Sequence, residues 1–450
     1  MQMIQAVRDS FNLPDLRRKL LYTFLILAIY RLAAHIPVPG VNQEALRQLL
    51  GGGGPSSTII NLLDLLSGGA IANFSVLAMG VYPYITAQII VQLLVPIIPY
   101  LENLSKEKEG RDKINQYVLY ATIPLAALNA LGQIRLLTAS NADILPSFGF
   151  SGANLLPTIT MLITMTAGTM FAIWLGQLVD EQGIGNGISL IIFSGIVARL
   201  PQNLMQAASD PDTARRITGL VSFVVITIAT IIVIVYVQQG ERRIPVQYGK
   251  RMRGRKMYGG GSTHIPLRVN TAGMIPLIFA QSFLAFPAVI AQFLPGAGDP
   301  NSIARTIIAM FGNAGRRGTW DDWTAWFYWV VYFLLVVGLT YFYTDVMMQQ
   351  QKIGESLQKQ GAMIPGKRPG PNGRLYDDYL NSVMRKITLV GALFLGLVAV
   401  LPFLVSPILP GATSFSFLST GLLIVVGVVI DTMKQLQTQL LMRHYEVDLL

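Results

Sequence analysis

The chain has 450 residues, of which 52% are hydrophobic and only 13% are charged, against roughly 25% charged residues in a typical soluble domain. A soluble protein could not hide this much apolar surface, so the composition excludes a water-soluble enzyme. The absence of cysteine from the sequence excludes disulfide and thiol chemistry, and the formal net charge of +10 requires a basic face.

Long charge-free blocks indicate that the chain crosses a membrane repeatedly. A bilayer core of about 30 Å needs about 20 helical residues, and Pro, Gly and polar clusters divide the longer blocks. The pattern predicts ten spans. In chain order they are expected at residues 20–36, 75–94, 114–134, 155–178, 188–200, 217–237, 271–293, 323–343, 387–405 and 415–432. The first 19 residues are charged and amphipathic rather than a signal peptide, so the first span is expected to stay in the mature protein.

Residues 57–73, between the first two spans, are too short and too interrupted to cross a bilayer. Asp64, Gly68 and Gly69 lie in or beside this stretch. A short helix folded back into the protein fits it better than a lipid-exposed helix, because lipid offers no partners for an irregular backbone.

The number of spans suggests two inverted halves. Ten spans divide near residue 215 into five and five, and because five is odd, the second half enters the membrane from the opposite side. Inverted repeats are a common architecture of transporters and channels. We therefore predict an all-α polytopic membrane protein with an N-terminal half, 1–215, a C-terminal half, 216–450, and one re-entrant helix.

The distribution of Lys and Arg predicts the orientation. Most of the 34 basic residues lie in the N-terminal segment, in residues 106–113, in two large loops at 238–270 and 344–386, and in the C-terminal tail. All these segments lie on one side of the ten spans. The positive-inside rule places this side, with both termini, in the cytoplasm.

The first large loop is predicted to form a hairpin-like protrusion, because β-prone residues flank a basic tip. Arg251, Arg253, Arg255 and Lys256 could grip phosphates or an acidic protein surface, although such charges could also serve only to enforce topology. The second loop contains GAMIPGKRPG, which nearly matches a phosphate-binding loop. Arg368 stands where Ser or Thr must hold magnesium, and no strand precedes it, so we exclude nucleotide binding.

Other motifs argue against enzymes and ion-driven transporters. The sequence GIGNG at 183–187 lacks the dinucleotide-binding spacing and is predicted to be a turn. No predicted span carries an acidic residue at mid-depth, which argues against proton or sodium coupling. The three histidines lack a metal-site pattern, and no nucleophile–base pair is visible, so no enzyme activity, metal or cofactor is expected. Aliphatic pairs one turn apart, such as Val81 with Ile85, are ordinary packing residues on composition alone.

Seven stretches give the chain a specific resemblance. They read RLAAHIPVPGV, MGVYPYITAQII, GIGNGISLIIFSGIV, ERRIPVQY, STHIPLRVNTAGMIPLIFA, PGKRPG and GLLIVVGVVIDTMKQLQ. Over essentially its whole length the chain resembles the SecY family, the channel-forming subunits of bacterial protein-conducting translocons. The resemblance implies a central pore subunit that passes unfolded secretory polypeptides across the membrane and releases hydrophobic segments laterally into lipid.

The resemblance also implies roles for individual residues. The family closes its pore with an aliphatic ring, which resists wetting yet accepts any passing side chain. The matching ring residues are Val81, Ile85, Ile188, Ile192, Ile278 and Ile424. Residues 57–73 match the plug below the ring, with apolar residues Ile60, Leu62, Leu65 and Leu66. The lateral gate lies between the second and seventh spans, with polar candidates Thr86, Gln88, Asn270 and Gln281.

The implied partners follow from the two basic loops. These loops resemble the family's docking surface for the SecA motor or the ribosome, with the arginines Arg251, Arg253, Arg255 and Arg368. SecE-like and SecG-like membrane subunits, signal sequences, nascent polypeptides and membrane lipid are the other expected partners. The expected location is the plasma membrane, with the thylakoid membrane as the alternative.

The residues alone leave two rival classes open. A secondary transporter for a small solute is supported by the inverted topology, but the missing mid-depth charges and the two long basic loops argue against it. A scaffold or membrane-bound enzyme lacks any catalytic constellation.

Overall fold

The computed structural model of the chain describes residues 13–46, 74–105, 107–140, 144–146, 148–149, 152–208, 213–248, 251–253, 256–258, 261–293, 302–308, 310–311, 323–351, 353–367, 370, 373–405 and 418–447. The chain forms two compact units. Unit 1 comprises Met1–Thr227, Leu284–Tyr328 and Pro402–Leu450, and unit 2 comprises Ile228–Phe283 and Trp329–Leu401.

Helices account for most of the described residues. In chain order they are α1 (Pro14–Ala33), α2 (Tyr82–Leu94), α3 (Pro99–Ser105), α4 (Lys108–Ser140), α5 (Leu155–Gln182), α6 (Gly187–Ala208), α7 (Thr213–Gln239), α8 (Ile275–Phe293), α9 (Ile303–Ile308), α10 (Trp323–Gln351), α11 (Ile353–Lys359), α12 (Arg374–Val405) and α13 (Leu418–Val447). Each of the ten predicted spans overlaps one of these helices. By length and composition, five described helices could cross a membrane, or six if the bent pair α2–α3 forms one span. The predicted class of a helical, polytopic membrane protein is confirmed.

The second predicted span, 75–94, is helical only in its later part. Residues 74–81 form turns, with a positive φ of 51° at Gly80, and α2 begins after them. Beyond α2, Pro96 and Pro99 each lack the N–H donor that a continuing helix needs. The chain therefore bends by 106° between α2 and α3.

Helix α5 is central to the packing of unit 1, where it contacts α1, α2, α4 and α6. Glycines permit the closest approaches, as is common between membrane helices. The space that a Cβ at Gly168 would need is taken by the carbonyl oxygen of Val76, and that at Gly187 by the carbonyl oxygen of Gly176. A buried apolar cluster that includes Phe74, the α4 side chains and the α5 methionines closes one end of this bundle.

Unit 2 contains a small antiparallel sheet in the predicted basic loops. Strand β1 (Glu241–Tyr248) pairs with β4 (Ser262–Arg268) from Glu241↔Arg268 to Gln247↔Ser262, and β5 (Ala362–Met363) pairs with the other edge of β1. Between them, β2 (Arg251–Arg253) and β3 (Lys256–Tyr258) form a hairpin. The predicted hairpin pairing is confirmed, and that it protrudes stays a prediction.

The sheet packs on helices to form what we call the sheet module: β1, β4, β5, α11 and the first turns of α12. Ile244 and Val246 of β1 are buried, whereas their neighbours along the strand are exposed, the alternation of a half-buried strand. They share an apolar core with Leu357 of α11 and with Tyr376 and Leu380 of α12. The second basic loop therefore folds onto the first.

Large apolar side chains cover much of the outside of the helices. Phe24 of α1 is 73% exposed, Leu156 of α5 76% and Tyr236 of α7 82%. A water-soluble protein rarely exposes such contiguous apolar surface. These faces suit lipid or apolar partner helices.

Candidate pore and gate residues

The six predicted ring residues lie on four helices, or directly before one. Val81 precedes α2 and accepts a hydrogen bond at 3.1 Å from the N–H of Ile85, one turn later. Ile188 and Ile192 lie on the first turns of α6, Ile278 on α8 and Ile424 on α13. Ile188 is half-buried, and the other five are buried, with at most 8% exposed. Ile278 belongs to unit 2 and the remaining five to unit 1.

The packing of α6 on α13 brings two ring residues to the same level. A Cβ at Gly421 of α13 would lie 3.0 Å from Cγ2 of Ile196 of α6. At the other end, the turn before α6 bonds to the C-terminal part of α13, so the two helices run antiparallel. Ile192 lies one turn before Ile196 on α6, and Ile424 lies one turn after Gly421 on α13. Because the helices run antiparallel, both residues lie on the side of this contact that faces the 183–187 turn. The two side chains therefore share one level of the bundle.

Ile188 is seated against α5. A Cβ at Gly176 would lie 3.2 Å from Cγ1 of Ile188 and 3.4 Å from its backbone nitrogen. The glycine thus lets the start of α6 approach α5 closely, which fixes the position of this ring candidate.

The four predicted gate residues have contrasting environments. Thr86 donates its hydroxyl to the carbonyl oxygen of Tyr82 in its own helix at 3.0 Å, and Gln88 and Gln281 are half-buried. Asn270 is 7% exposed and lies in the turn before α8. Its Nδ2 donates to the Gly273 carbonyl at 3.1 Å, while its Oδ1 is buried and has no hydrogen-bond partner among the residues that the structure describes. Among the four gate candidates, Asn270 therefore has a side-chain oxygen that could accept a further hydrogen bond.

The predicted plug residues Ile60, Leu62, Leu65 and Leu66 lie outside the described residues, as do Arg255 and Arg368. For Arg251 and Arg253 the structure describes the backbone of β2 but not the side chains.

The described residues that flank Arg368 in the sequence, Lys367 and Gly370, both contact the sheet module. Lys367 Nζ lies 5.1 Å from the ring centre of Tyr379, and Gln358 Nε2 donates to the Gly370 carbonyl at 3.3 Å. Nearby, the Gly354 N–H donates to Asp377 Oδ1 at 2.7 Å. The described residues on both sides of 368–369 therefore contact the sheet module.

Sequence reasoning missed two side chains that hold the turn before α6. The Ile184 N–H donates to Thr23 Oγ1 of α1 at 3.1 Å, and the Gly185 N–H donates to Gln435 Oε1 of α13 at 2.9 Å. The GIGNG motif was the available signal, since glycines around an asparagine mark a tight turn. The sequence around the motif does not indicate that Thr23 and Gln435 bind it.

Metal binding finds no support among the described residues: their His, Asp and Glu side chains form no group of three that could hold an ion. The described pore and gate candidates are aliphatic or neutral polar. Aliphatic side chains of this kind can close a pore to water and ions, and neutral polar side chains can bind a polypeptide through hydrogen bonds.

Comparison with known proteins places these features in a family. A family model described as SecY matches residues 75–433. The chain is 39% identical to the protein translocase subunit SecY of Streptomyces galbus over 458 residues, and 39% identical to that of Mycobacterium tuberculosis over 463 residues. Each alignment covers 99% of both chains.

Solved structures agree on the fold. A protein-conducting channel superposes with a TM-score of 0.62 at 19% identity, covering 94% of this chain and 92% of that one. Sec61 from a canine ribosome–channel complex of the endoplasmic reticulum superposes with a TM-score of 0.59 at 18% identity and the same coverage. From its full-length relatives and its fold, the chain is a multi-pass membrane protein that belongs to the SecY family.

Proposed function

We propose that the chain is the central pore subunit of a protein translocase, which passes unfolded secretory polypeptides across the membrane and releases hydrophobic segments sideways into lipid. The observation that carries this proposal is the 39% identity, over 99% of both chains, to proteins named translocase subunits. The chain itself performs no covalent chemistry in this account, and a partner supplies the energy.

The seal is an aliphatic ring of Val81, Ile85, Ile188, Ile192, Ile278 and Ile424. The shared level of Ile192 and Ile424 on α6 and α13 supports this assignment. Branched aliphatic side chains leave no hydrogen-bonding partner for water or ions, so a narrow ring of them stays dry when empty. The same side chains make non-directional contacts, so they yield to a polypeptide of any sequence. Residues 57–73 act as the plug on the extracytoplasmic side.

The lateral gate opens between the second and seventh spans. Thr86 and Gln88 are its polar residues on one side, and Asn270 and Gln281 on the other. The buried Oδ1 of Asn270, which has no partner in the described part of the chain, supports a role there, because such an atom gains free energy when a donor reaches it. An apolar signal sequence exchanges protein contacts for lipid when the gate opens, which favours its exit into the bilayer.

The docking surface is basic. Arg251, Arg253, Arg255 and Arg368 attract acidic protein surface or RNA phosphate, which fits a SecA motor or a ribosome. The solved Sec61 neighbour belongs to a ribosome–channel complex. SecE-like and SecG-like subunits would cover part of the apolar outer surface of the helices.

The proposed location is the plasma membrane, with ten spans in two inverted halves and both termini in the cytoplasm. The concentration of Lys and Arg in the N-terminal segment and the two large loops supports this orientation. The thylakoid membrane is the alternative location.

Reconstituted translocation tests the proposed function. The chain is purified with its membrane partners into proteoliposomes, and a motor, ATP and a secretory precursor are added outside. We expect the precursor to become protected from protease only when its signal sequence is intact. Protection of a precursor without a signal sequence, or none for either precursor with the motor bound, would contradict the proposal. Uptake of labelled small solutes instead would favour the secondary-transporter alternative.

A further inference from the structure

The turn between α5 and α6, residues 183–187, joins three helices of unit 1. Its Ile184 side chain is 2% exposed and packs in an apolar cluster with Leu16 of α1 and Leu436 of α13. The turn thus lies between the first and last predicted spans, at the ends that the predicted topology puts in the cytoplasm.

Side chains from both flanking helices satisfy the backbone of this turn. Thr23 Oγ1 of α1 accepts the Ile184 N–H and also donates to the Lys19 carbonyl of its own helix at 2.9 Å. Gln435 Oε1 of α13 accepts the Gly185 N–H. The Ile184–Thr23 bond is buried, so its loss would leave the N–H with the full cost of desolvation, whereas the Gly185–Gln435 bond is exposed and resists displacement of the turn more weakly.

The turn lies close against both helices. A Cβ at Gly183 would lie 2.6 Å from Thr23 Oγ1, and one at Gly185 would lie 3.0 Å from Thr432 Oγ1. Gly185 also has a φ of 98°, which favours glycine. The turn therefore contacts α1 and α13 through its bare backbone.

The predicted ring starts directly after this turn. Ile188 is the second residue of α6, Ile192 follows one turn later, and Ile424 lies at the level of Ile192 on α13. Since α6 is a rigid element that begins at the turn, a slide of the turn along α13 moves Ile188 and Ile192 together relative to Ile424.

We propose that Thr23 and Gln435 are positioning residues of the pore seal: by tying the 183–187 turn to α1 and α13, they set the register of α6 against α13 and hold the aliphatic ring closed. This inference rests on the proposed function, because it takes Ile188, Ile192 and Ile424 as ring residues. It assigns a role in sealing to two polar side chains that do not themselves line the ring.

Resting ion conductance in planar bilayers tests the inference on the full chain assembled with its membrane partners. Thr23→Val removes the hydroxyl at constant shape, and Gln435→Leu removes the other acceptor. We expect Thr23→Val to raise the resting conductance roughly 5–30-fold, the factor that corresponds to losing one buried hydrogen bond. Gln435→Leu should raise it by a smaller factor, because its hydrogen bond is exposed. Hydrogen exchange of the 183–187 amides should accelerate in the same variants.

Conservative and matched variants separate positioning from general loss of stability. Thr23→Ser and Gln435→Glu keep an oxygen acceptor and should restore parental conductance. Thr438→Val on α13 is the matched control, since the Thr438 hydroxyl donates to the Lys434 carbonyl of its own helix at 2.9 Å. If the Thr23→Val variant does not assemble, the test is the comparison of resting conductance between Gln435→Leu and Gln435→Glu.

A ring variant, Ile192→Asn, is measured beside these as a reference. If it conducts while Thr23→Val and Gln435→Leu stay closed, the inference is overturned and the proposed ring stands. If Ile192→Asn itself stays closed, the ring assignment fails, and the inference fails with it. If Thr438→Val raised the resting conductance as much as Thr23→Val, the inference would also be overturned, because the loss of any threonine on these helices would then open the channel.

Discussion

The 183–187 turn of unit 1 and the sheet module of unit 2 both connect apolar helices, yet their backbones are held in different ways. In the module, β1 and β4 pair over seven positions and pack on an apolar core, as in a small soluble domain. The turn is held instead by side chains, among them Asp180, which accepts the Gly187 N–H, and two acceptors that lie 161 and 250 residues away along the chain. Stability is therefore distributed in the module and concentrated in a few contacts at the turn.

This difference has a consequence for function. A distributed structure tolerates the loss of one surface contact, which suits a platform that partners press against. A turn held by single contacts passes any disturbance to the helix that it starts, and α6 carries two of the proposed ring residues. Core, ring and surface substitutions should therefore act differently in the two regions.

The largest effect is expected in the core of the sheet module. Tyr376 is fully buried there, and Tyr376→Ala should cost about 3–5 kcal/mol of local stability through the cavity it leaves. Hydrogen exchange of the β1 and β4 amides measures this loss. Leu375→Ala, at a neighbour that is 51% exposed, is the control and should change little. Faster ion leakage in Tyr376→Ala would show that the module and the seal are not separable.

Ile184→Ala is the matching core substitution at the turn, with an expected cost of about 2–5 kcal/mol. Here we expect the reverse pattern, with raised resting conductance and unchanged exchange in β1 and β4. Ile163→Ala on α5, at a side chain that is 64% exposed, serves as the control. If Ile184→Ala left the resting conductance unchanged but accelerated hydrogen exchange in β1 and β4, the two regions would not differ in the way proposed.

The ring itself should be sensitive to polarity. Ile424 is 3% exposed, so Ile424→Asn places an amide in an apolar site and should destabilise the closed state by about 1–3 kcal/mol. Export of a precursor with a defective signal sequence should rise accordingly, and we expect the same direction for Ile278→Asn. Val429→Asn, on the same helix at a residue that is 45% exposed, should leave signal dependence as in the parent.

On the proposed docking surface, Arg368→Glu should weaken motor-driven export by about tenfold, because the proposed contact to an acidic partner would become repulsive. Motor affinity and translocation into vesicles are measured together, at two salt concentrations. Arg374→Glu, an exposed residue at the start of α12, controls for the change of net charge. Unchanged binding and translocation in Arg368→Glu would remove this residue from the docking surface.

The smallest effect is expected for an exposed ion pair on β1. Arg243 Nε lies 2.8 Å from Glu241 Oε1, but the arginine side chain is 66% exposed. Such pairs contribute roughly 0–1 kcal/mol, so Arg243→Gln should barely change exchange in β1. A loss as large as that of Tyr376→Ala would contradict the view that the module is held by its core and ladder.

Sequence reasoning succeeded where the signal was local. Apolar blocks of span length predicted the helices, and β-prone residues around a basic tip predicted the β1–β4 pairing. It placed the start of α2 too early, because an apolar stretch with glycine does not reveal that residues 74–81 form turns. Pro96 and Pro99, where the chain bends after α2, are visible in the sequence but did not enter the prediction of the spans.

The ring residues and their supports were less accessible. Val81, Ile85, Ile188 and Ile192 are common aliphatic residues, and only the family resemblance distinguished them from ordinary packing. Thr23 and Gln435 could not be paired with the 183–187 turn, because hydrogen bonds between distant segments leave no periodic pattern in one sequence. The antiparallel contact of α6 with α13 was needed to bring Ile192 and Ile424 to one level.

Whether polypeptide passes through the proposed ring can be measured by disulfide crosslinking, for which the cysteine-free sequence is well suited. Single cysteines replace Ile278, Ile424 or, as an outward-facing control, Val429, and a secretory precursor with one cysteine is stalled in the assembled translocase. We expect crosslinks at Ile278 and Ile424, but not at Val429, and only with a functional signal sequence. Absence of crosslinks at both ring positions, with the precursor demonstrably docked, would contradict the claim that polypeptide passes through this ring.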